Sequence, residues 1–284
     1  MSNKIVVATP TYNSVEYLKV FINSWEKFSP GVTLVVVVDG STDGTKEFLD
    51  SCEYTNLIVK KFSGNRGQPA AYNECLQTAA GVPGASHVLM MNDDMVFSSG
   101  WEDKALEAIV EHDFSKAYIS VNLAWPGPPG YSAVSYAAGG HLPDQFDIAK
   151  WDEFALKYTN SDEYLDSTEF GPGFPFILSV SNAMCRAFDD VYASGGCLDT
   201  DFLFSCWLEE FFIARLTKPL FFHFSGGSTD KQKMLGDWVE HGHTFEKKWG
   251  IPIEKAMHAI QGIRGIEKDE LVILNEKNTL EPIK

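Results

Sequence analysis

The chain has 284 residues, of which 44% are hydrophobic, enough for one large core or for one core with a small appendage. Its formal net charge of −16 disfavours a protein that grips a long stretch of nucleic acid through phosphates. The five cysteines have no CxxC spacing and no apolar run could span a membrane, so we expect neither a zinc site nor a disulfide framework but reduced thiols in a cytoplasmic protein.

Strand and helix patterns alternate through the first part of the chain. Residues 34–38 are a continuous apolar run, which is typical of a parallel strand buried on both faces. The other predicted elements are strands at 4–8, 57–59 and 87–92 and helices at 14–28, 44–51, 69–80 and 101–111. This alternation predicts a doubly wound α/β fold with ligands at the carboxyl ends of the strands.

Three polar segments, at residues 9–13, 39–43 and 92–94, follow predicted strands. Because parallel strands end at the same edge of a sheet, we expect these segments to form one binding site. Asp93 and Asp94 end a buried strand, where two adjacent carboxylates need a compensating cation. Mg²⁺ or Mn²⁺ holding a substrate diphosphate is the obvious candidate, and a polar turn is the alternative.

The alternation degrades from about residue 115. We interpret residues 125–176, which are rich in Gly, Tyr, Trp and acidic groups, as a long functional loop that contacts a second substrate. Helices are predicted at 183–194, 201–216 and 230–249, a strand at 220–222, and a peripheral tail at 254–284. Several aromatic residues could stack on a ligand or simply pack in a core, namely Trp125, Tyr131, Tyr136, Trp151 and Trp207.

Five ordered motifs between residues 4 and 250 resemble those of the family 2 glycosyltransferases with the GT-A fold. They are Pro10-Thr11-Tyr12-Asn13, the segment 38–45, Asn65-Arg66-Gly67 with Asn73, Asn92-Asp93-Asp94, and Gly195-Gly196-Cys197-Leu198-Asp199 with His223 and Gly226-Gly227-Ser228. The resemblance implies an α/β fold with a mostly parallel sheet, flanking helices, an acceptor-side loop region and C-terminal helices. It also implies a nucleotide-sugar-binding half at 1–115, an acceptor-binding and catalytic half at 116–250, and a tail at 251–284.

The same resemblance assigns a nucleoside-diphosphate sugar to the first loops. The implied donor-binding residues are Pro10, Tyr12, Asn13, Asp39, Asn65, Arg66, Asn92 and Asp93. Tyr12 would flank a base and Asp39 would accept hydrogen bonds from base or ribose, although a turn tyrosine and a helix N-cap are the simpler readings. Asp94 and His223 would hold Mn²⁺ or Mg²⁺, whereas a lone histidine at a strand end is more commonly a satisfied structural residue.

The implied reaction is a single inverting displacement in which a carboxylate deprotonates an acceptor hydroxyl. We predict Glu210 or Glu209 as this base, with Asp199 and Asp201 as rivals. Asp199 and Trp207 are predicted to bind the acceptor. An exposed helix face is the competing interpretation of the two glutamates.

Two positions depart from the family pattern. Asn92 replaces the first carboxylate of the DxD-type metal motif, and Tyr72 stands before Asn73 where many relatives have an arginine. Any contact made by that arginine is therefore absent here or supplied elsewhere, for instance by Arg66.

The sequence thus predicts a metal-dependent inverting glycosyltransferase. Its donor would be UDP- or dTDP-linked, and its acceptor would be a hydroxyl of a glycan, another glycoconjugate or a small molecule. One alternative is a nucleotidyltransferase of the same fold class, which is disfavoured because residues 1–15 contain only Lys4 and no glycine for a triphosphate loop. The other is a non-catalytic sugar- or nucleotide-binding protein with a decayed site.

Overall fold

The structure is a computed structural model that describes residues 4–111, 116–127, 133–159, 173–225, 231–261, 272–274 and 280–282. The strands of the main sheet are β1 (Ile5–Thr11), β2 (Thr33–Val38), β3 (Leu57–Lys61), β4 (His87–Met90), β5 (Met95–Phe97), β6 (Ala117–Trp125), β7 (Ala133–Ser135), β8 (Phe176–Ser179) and β9 (Phe212–His223). The helices are α1 (Val15–Phe28), α2 (Thr45–Asp50), α3 (Gln68–Ala80), α4 (Trp101–Glu111), α5 (Ile148–Thr159), α6 (Val180–Cys185), α7 (Leu198–Leu208), α8 (Lys231–Trp249) and α9 (Ile253–Gln261). A separate hairpin pairs β10 (Val272–Leu274) with β11 (Leu280–Pro282).

The amino-terminal half is a parallel layer in which β3, β2, β1 and β4 lie side by side. Every residue of β2 is buried, as its unbroken apolar sequence predicts for a strand covered on both faces. In the register, Thr11 lies beside Val38 and Ala8 lies beside Met90. The carboxyl ends of β1, β2 and β4 therefore meet at one edge, and the predicted α/β fold is confirmed.

The second half of the chain extends the same sheet and changes its direction. β8 lies antiparallel between β4 and β6, while β9 runs parallel to β6 and antiparallel to β5. The strand order β3-β2-β1-β4-β8-β6-β9-β5 thus joins both predicted halves in one mixed sheet. Because Met95 pairs with His223, the end of β9 comes to lie beside the Asn92–Asp94 segment.

Two predicted helices of the second half are wrong in extent. The predicted helix 183–194 is only α6 and a later 3-10 turn at Asp190–Tyr192. The predicted helix 201–216 ends at Leu208, because Glu210 adopts a left-handed backbone with φ of 64° and residues from Phe212 onward pair with β6. Short apolar runs fit both helical and strand periods, and here long-range pairing decides.

The predicted long loop at 125–176 is also wrong over much of its length. α5 lies within it, and β7 adds a strand beside β6. Tyr136 and Trp151 pack in a buried cluster with Phe222, and Trp151 donates its indole N–H to the Phe97 carbonyl at 2.8 Å. These two aromatic residues therefore serve a core rather than a sugar site, and Tyr131 lies outside the described residues.

A buried carboxylate ties α7 to the end of α8. Asp201 is 3% exposed and accepts hydrogen bonds from Lys248 Nζ at 2.8 Å and from the indole N–H of Trp249 at 2.6 Å. The Tyr192 hydroxyl donates to the same carboxylate at 3.0 Å. This network satisfies Asp201 within the fold and makes it a structural residue.

The predicted tail at 251–284 begins with a packed helix. Ala256 of α9 lies in a buried cluster with Phe204, Phe245 and Ile251, which joins this helix to α7 and α8. The boundary predicted at residue 250 stays a prediction. Among the helices that the structure describes, none has the length and apolarity that crossing a membrane requires.

We expect Asp201→Ala to lower the free energy of unfolding by about 3 kcal/mol, because it leaves buried partners, Lys248 among them, without their acceptor. Urea denaturation measures the change. Glu16→Ala is the matched control: it removes an exposed ion pair with Lys19 and is expected to cost less than about 0.5 kcal/mol. Equal effects of the two substitutions would contradict the structural role of Asp201.

Candidate active site

The loops after β1 and β2 are tied to each other by side chains. Asn13, at a left-handed φ of 49°, accepts a hydrogen bond from the Thr42 amide at 2.7 Å, and its own amide donates to Ser41 Oγ at 3.0 Å. Asp43 accepts from the Val15 amide at 2.9 Å and so caps α1, while Ser14 precedes this helix without a side-chain capping hydrogen bond. Tyr12 is 51% exposed at this edge, and Pro10 lies at the end of β1.

Asp39 holds the loop that precedes α3. This carboxylate is 3% exposed and accepts the amide of Arg66 at 2.6 Å and the amide of Gly67 at 3.1 Å. The loop that contains Asn65 passes so close to Gly40 that a Cβ atom on this glycine would lie 2.3 Å from the backbone nitrogen of Asn65. The donor-binding residues predicted from the second and third motifs are therefore in contact with one another.

Asp94 and His223 converge at the end of the central strands. Asp94 is 5% exposed, and its Oδ1 lies 3.1 Å from His223 Nε2. Burial opposes the charged imidazole, but the Asp94 charge and hydrogen bond, with a smaller effect of Asp93, raise the pKa of His223. The two predicted metal ligands are thus brought together, while Gly226-Gly227-Ser228 lies outside the described residues.

Asp93 is a buried carboxyl group without an aligned partner. Burial and the neighbouring charge of Asp94 raise its pKa to about 7, and the Thr11 and Ser14 hydroxyls lie near enough to lower that pKa in part. Even so, Asp93 Oδ2 and both hydroxyl oxygens are buried with no aligned hydrogen-bond partner. Buried polar atoms in this state are rare in folded proteins and indicate a place for a ligand, water or ion.

The donor atoms fit a divalent cation that is completed by a substrate. Within the described part of the chain, no three His, Cys, Asp or Glu side chains are arranged to enclose a metal ion. However, Mg²⁺ and its relatives commonly bind through one or two carboxylates together with substrate phosphates. The Asp94 carboxylate and the His223 imidazole, 3.1 Å apart, are the described side chains that could supply such a partial set of ligands.

Asp199 lies at the start of α7 and is joined to this site through packed residues. Its carboxylate accepts the Gly173 amide at 3.1 Å and the Thr200 amide at 2.8 Å. Burial raises its pKa, an effect that these two backbone N–H groups reduce. Phe174, next to Gly173, stacks on Tyr72 with ring centroids 4.7 Å apart, and the Tyr72 hydroxyl contacts Asn92.

The two glutamates predicted as the catalytic base lie at the other end of α7. An 11-residue helix is about 16 Å long, so Glu209 and Glu210 are remote from Asp199. Glu209 forms an ion pair with Arg186, and its side chain is 62% exposed. Trp207 stacks on Phe204 at 5.6 Å, close to the cluster formed with α8 and α9.

Sequence reasoning missed three residues of this site. The hydroxyls of Thr11 and Ser14 lie near the Asp93 carboxyl, and neither residue is among the predicted site residues. Tyr72 stands out in the sequence only because many relatives have an arginine there. Its contact with Asn92 joins residues 20 positions apart. No local pattern signals such contacts, because they depend on how α3 packs against the sheet.

Residues 6–126 match the profile of the family described as Glycosyl transferase family 2. TuaG of Bacillus subtilis (strain 168), named as a teichuronic acid biosynthesis glycosyltransferase, is 27% identical over 129 residues, which are 44% of this chain and 50% of TuaG. The chain thus spans about half the length of this curated relative.

Solved structures show the same fold at low sequence identity. S. aureus TarS 1–349 in complex with UDP has a TM-score of 0.55 and 19% identity, covering 93% of this chain and 67% of that chain. The same fragment with UDP-GlcNAc has a TM-score of 0.55 and 18% identity, covering 90% and 73%. The Pyrobaculum calidifontis mannosyltransferase PcManGT in complex with GDP-Man and Mn²⁺ has a TM-score of 0.56 and 14% identity, covering 93% and 70%.

The family match covers the loops after β1, β2 and β4, and the structural matches cover most of the chain. Residues 6–126 therefore resemble glycosyl transferase family 2, and the chain has the fold of GT-A glycosyltransferases.

Proposed function

We propose that this protein transfers a sugar from a nucleoside-diphosphate sugar to an acceptor hydroxyl with inversion, using Mn²⁺ or Mg²⁺. One observation carries the proposal: Asp94 and His223 meet at the carboxyl edge of the sheet, and the neighbouring Asp93, whose charge acts on His223, has a buried carboxylate oxygen with no aligned partner. A cation with a diphosphate supplies the positive charge and the oxygen ligands that this cluster lacks.

The donor nucleotide is proposed to bind along the loops after β1, β2 and β3. Asp39 would hold Arg66 and Gly67 in place and keep a remaining oxygen lone pair for a base or ribose donor. The exposed ring of Tyr12 would flank the base, and Asn13, Asn65 and Arg66 would line the same crevice. The UDP and UDP-GlcNAc complexes of TarS support a uridine or thymidine diphosphate, whereas the GDP-Man complex of PcManGT shows that the fold also accepts guanosine.

We assign the base to Asp199 in place of Glu209 or Glu210. Asp199 is partly buried, has a raised pKa, and lies one packed aromatic layer from Asn92. A base with a raised pKa removes a hydroxyl proton more readily near neutral pH than an ordinary aspartate does. The glutamates lack this placement, because they follow the last turn of α7.

In the proposed reaction Asp199 takes the proton of the acceptor hydroxyl. The acceptor oxygen then bonds to the anomeric carbon while the bond to the diphosphate oxygen breaks, and the nucleoside diphosphate leaves with the electron pair. A bound divalent ion, held by Asp94 and His223 and assisted by Asp93, would supply Lewis-acid stabilisation of the leaving diphosphate. The acceptor is proposed to be a glycan or another glycoconjugate, because the name of TuaG assigns that relative to teichuronic acid biosynthesis. A cytoplasmic location stays a prediction.

We expect Asp94→Asn to weaken UDP binding in the presence of Mn²⁺ by at least about tenfold, because the neutral amide is a weaker ligand and a poorer partner for His223. Calorimetric titration of UDP, dTDP, GDP and CDP, with and without Mn²⁺, measures this effect. Asp103→Asn on the exposed face of α4 is the control and is expected to bind like the wild type. Failure of the wild type to bind any of the four would favour the decayed-site alternative, and pyrophosphate release from a nucleoside triphosphate would favour a nucleotidyltransferase.

We expect Asp199→Asn to lower kcat by about 10²- to 10⁴-fold with little change in UDP affinity, because it removes the base but leaves the donor loops intact. Transfer from UDP-GlcNAc to a panel of glycan acceptors measures kcat. Glu209→Gln and Glu210→Gln are the matched variants, and each is expected to keep kcat within about threefold. The reverse pattern would return the base role to the glutamate pair.

A further inference from the structure

Tyr72 makes a short hydrogen bond to the first residue of the metal motif. Its hydroxyl lies 2.6 Å from Asn92 Oδ1, and the tyrosine is 6% exposed on the inner face of α3. The contact brings together the two positions at which the sequence departs from the family pattern. What looks like two separate substitutions in the sequence is one interacting pair in the fold.

Two phenylalanine rings pack against the Tyr72 ring. It stacks on Phe174 with centroids 4.7 Å apart at 21°, and it tilts against Phe188 at 5.1 Å. Phe188 is fixed in turn by Asn73, which accepts its amide at 2.7 Å and donates to its carbonyl at 2.9 Å. The phenolic oxygen therefore has little freedom, and it acts as a fixed partner for Asn92.

A fixed phenol determines which atoms Asn92 can offer to a ligand. Because Tyr72 donates to Oδ1, this oxygen is turned toward the phenol and keeps one lone pair, whereas the Nδ2 amide keeps both of its N–H donors and cannot bind a cation. The neighbouring Asp93 and Asp94 supply carboxylate oxygens, so a donor beside them complements a ligand that is itself rich in negatively charged oxygens.

We propose that Tyr72 is a positioning residue that holds Asn92 as a hydrogen-bond donor to an oxygen of the bound nucleotide sugar, so that Asn92 is not a metal ligand. This inference rests on the proposed function. The inference goes beyond the proposed function, because it makes Tyr72 and Asn92 a coupled pair of neutral side chains. Replacing either residue alone would leave the other without its hydrogen-bond partner.

Charge explains why both members of the pair are neutral. A carboxylate at position 92 would stand third in a row with Asp93 and Asp94, and like charges in one buried site repel. The phenol stays neutral there, since burial and the charges of Asp93, Asp94 and Asp199 raise the pKa of Tyr72 well above its usual value. An arginine at position 72 would place a buried cation directly against the neutral Asn92 amide, and the nearby charges of Asp93, Asp94 and Asp199 would replace only in part the direct partner that an aspartate at position 92 supplies.

A double-mutant cycle tests the coupling. The variants are Tyr72→Arg, Asn92→Asp and the two combined, with the Tm and the Kd for UDP in Mn²⁺ as readouts. We expect Tyr72→Arg alone to lower the Tm by about 5 °C or more, and Asn92→Asp added to it to recover at least half of that loss. Additive effects of the two substitutions would overturn the pairing.

Tyr72→Phe separates positioning from packing, because it keeps the stacked ring and removes only the hydroxyl. We expect UDP binding to weaken about fivefold or more while the Tm changes by less than about 3 °C. Tyr54→Phe is the control: it removes another tyrosine hydrogen bond of 2.6 Å, to Glu26, on an exposed face. A Kd for UDP within twofold of the wild type in Tyr72→Phe would overturn the positioning role.

Failure of the proposed function gives a different result from failure of this inference. If the wild type binds none of the nucleotides, the donor site is wrong, yet recovery of the Tm in the double variant would still support the coupled pair. If the wild type binds UDP and the cycle shows no coupling, the proposed donor site is supported and the coupling between Tyr72 and Asn92 is wrong.

Discussion

Burial of negative charge at one edge of the sheet is the constraint on which the rest of this site depends. Asp39, Asp93 and Asp94 all follow strands whose register places their carboxyl ends together. Each carboxylate meets a different environment: two backbone amides for Asp39, an imidazole for Asp94, and unaligned hydroxyl groups for Asp93. The incomplete compensation of the Asp93 charge is the feature that most directly favours the proposed ligand, a divalent cation bound together with a diphosphate.

The second half of the chain contributes two further side chains to the candidate site, His223 and Asp199. Antiparallel β8 allows the sheet to continue past β4, and β9 then returns beside β5 with His223 opposite Met95. The same half carries Asp199 on α7, which Gly173 fastens to the aromatic layer over Tyr72. The sheet and the helix α7 thus bring Asp94, His223 and Asp199 into one half of the site, as the proposed single displacement requires.

Many charged side chains around the site have structural roles, and this leaves fewer candidates for the catalytic base. Asp201 holds Lys248 and Trp249, and Asp43 caps α1. Glu209 pairs with Arg186 at the exposed end of α7. Asp199 differs from all three by its position, because Gly173 and Phe174 connect it through the stacked Tyr72 ring to Asn92.

The sequence by itself determined the parallel layer of the first half, because apolar runs such as 34–38 and turn-rich loops after them are local signals. It also determined that Asn92–Asp94 lies at a strand end, since a buried run of apolar residues precedes it. The tertiary structure alone decided that residues from Phe212 onward form a strand, since pairing with β6 overrides a pattern that also fits a helix. It alone decided the partners of Asn92, Asp94 and Asp199, because these contacts join residues far apart in the chain and follow from how the layers pack.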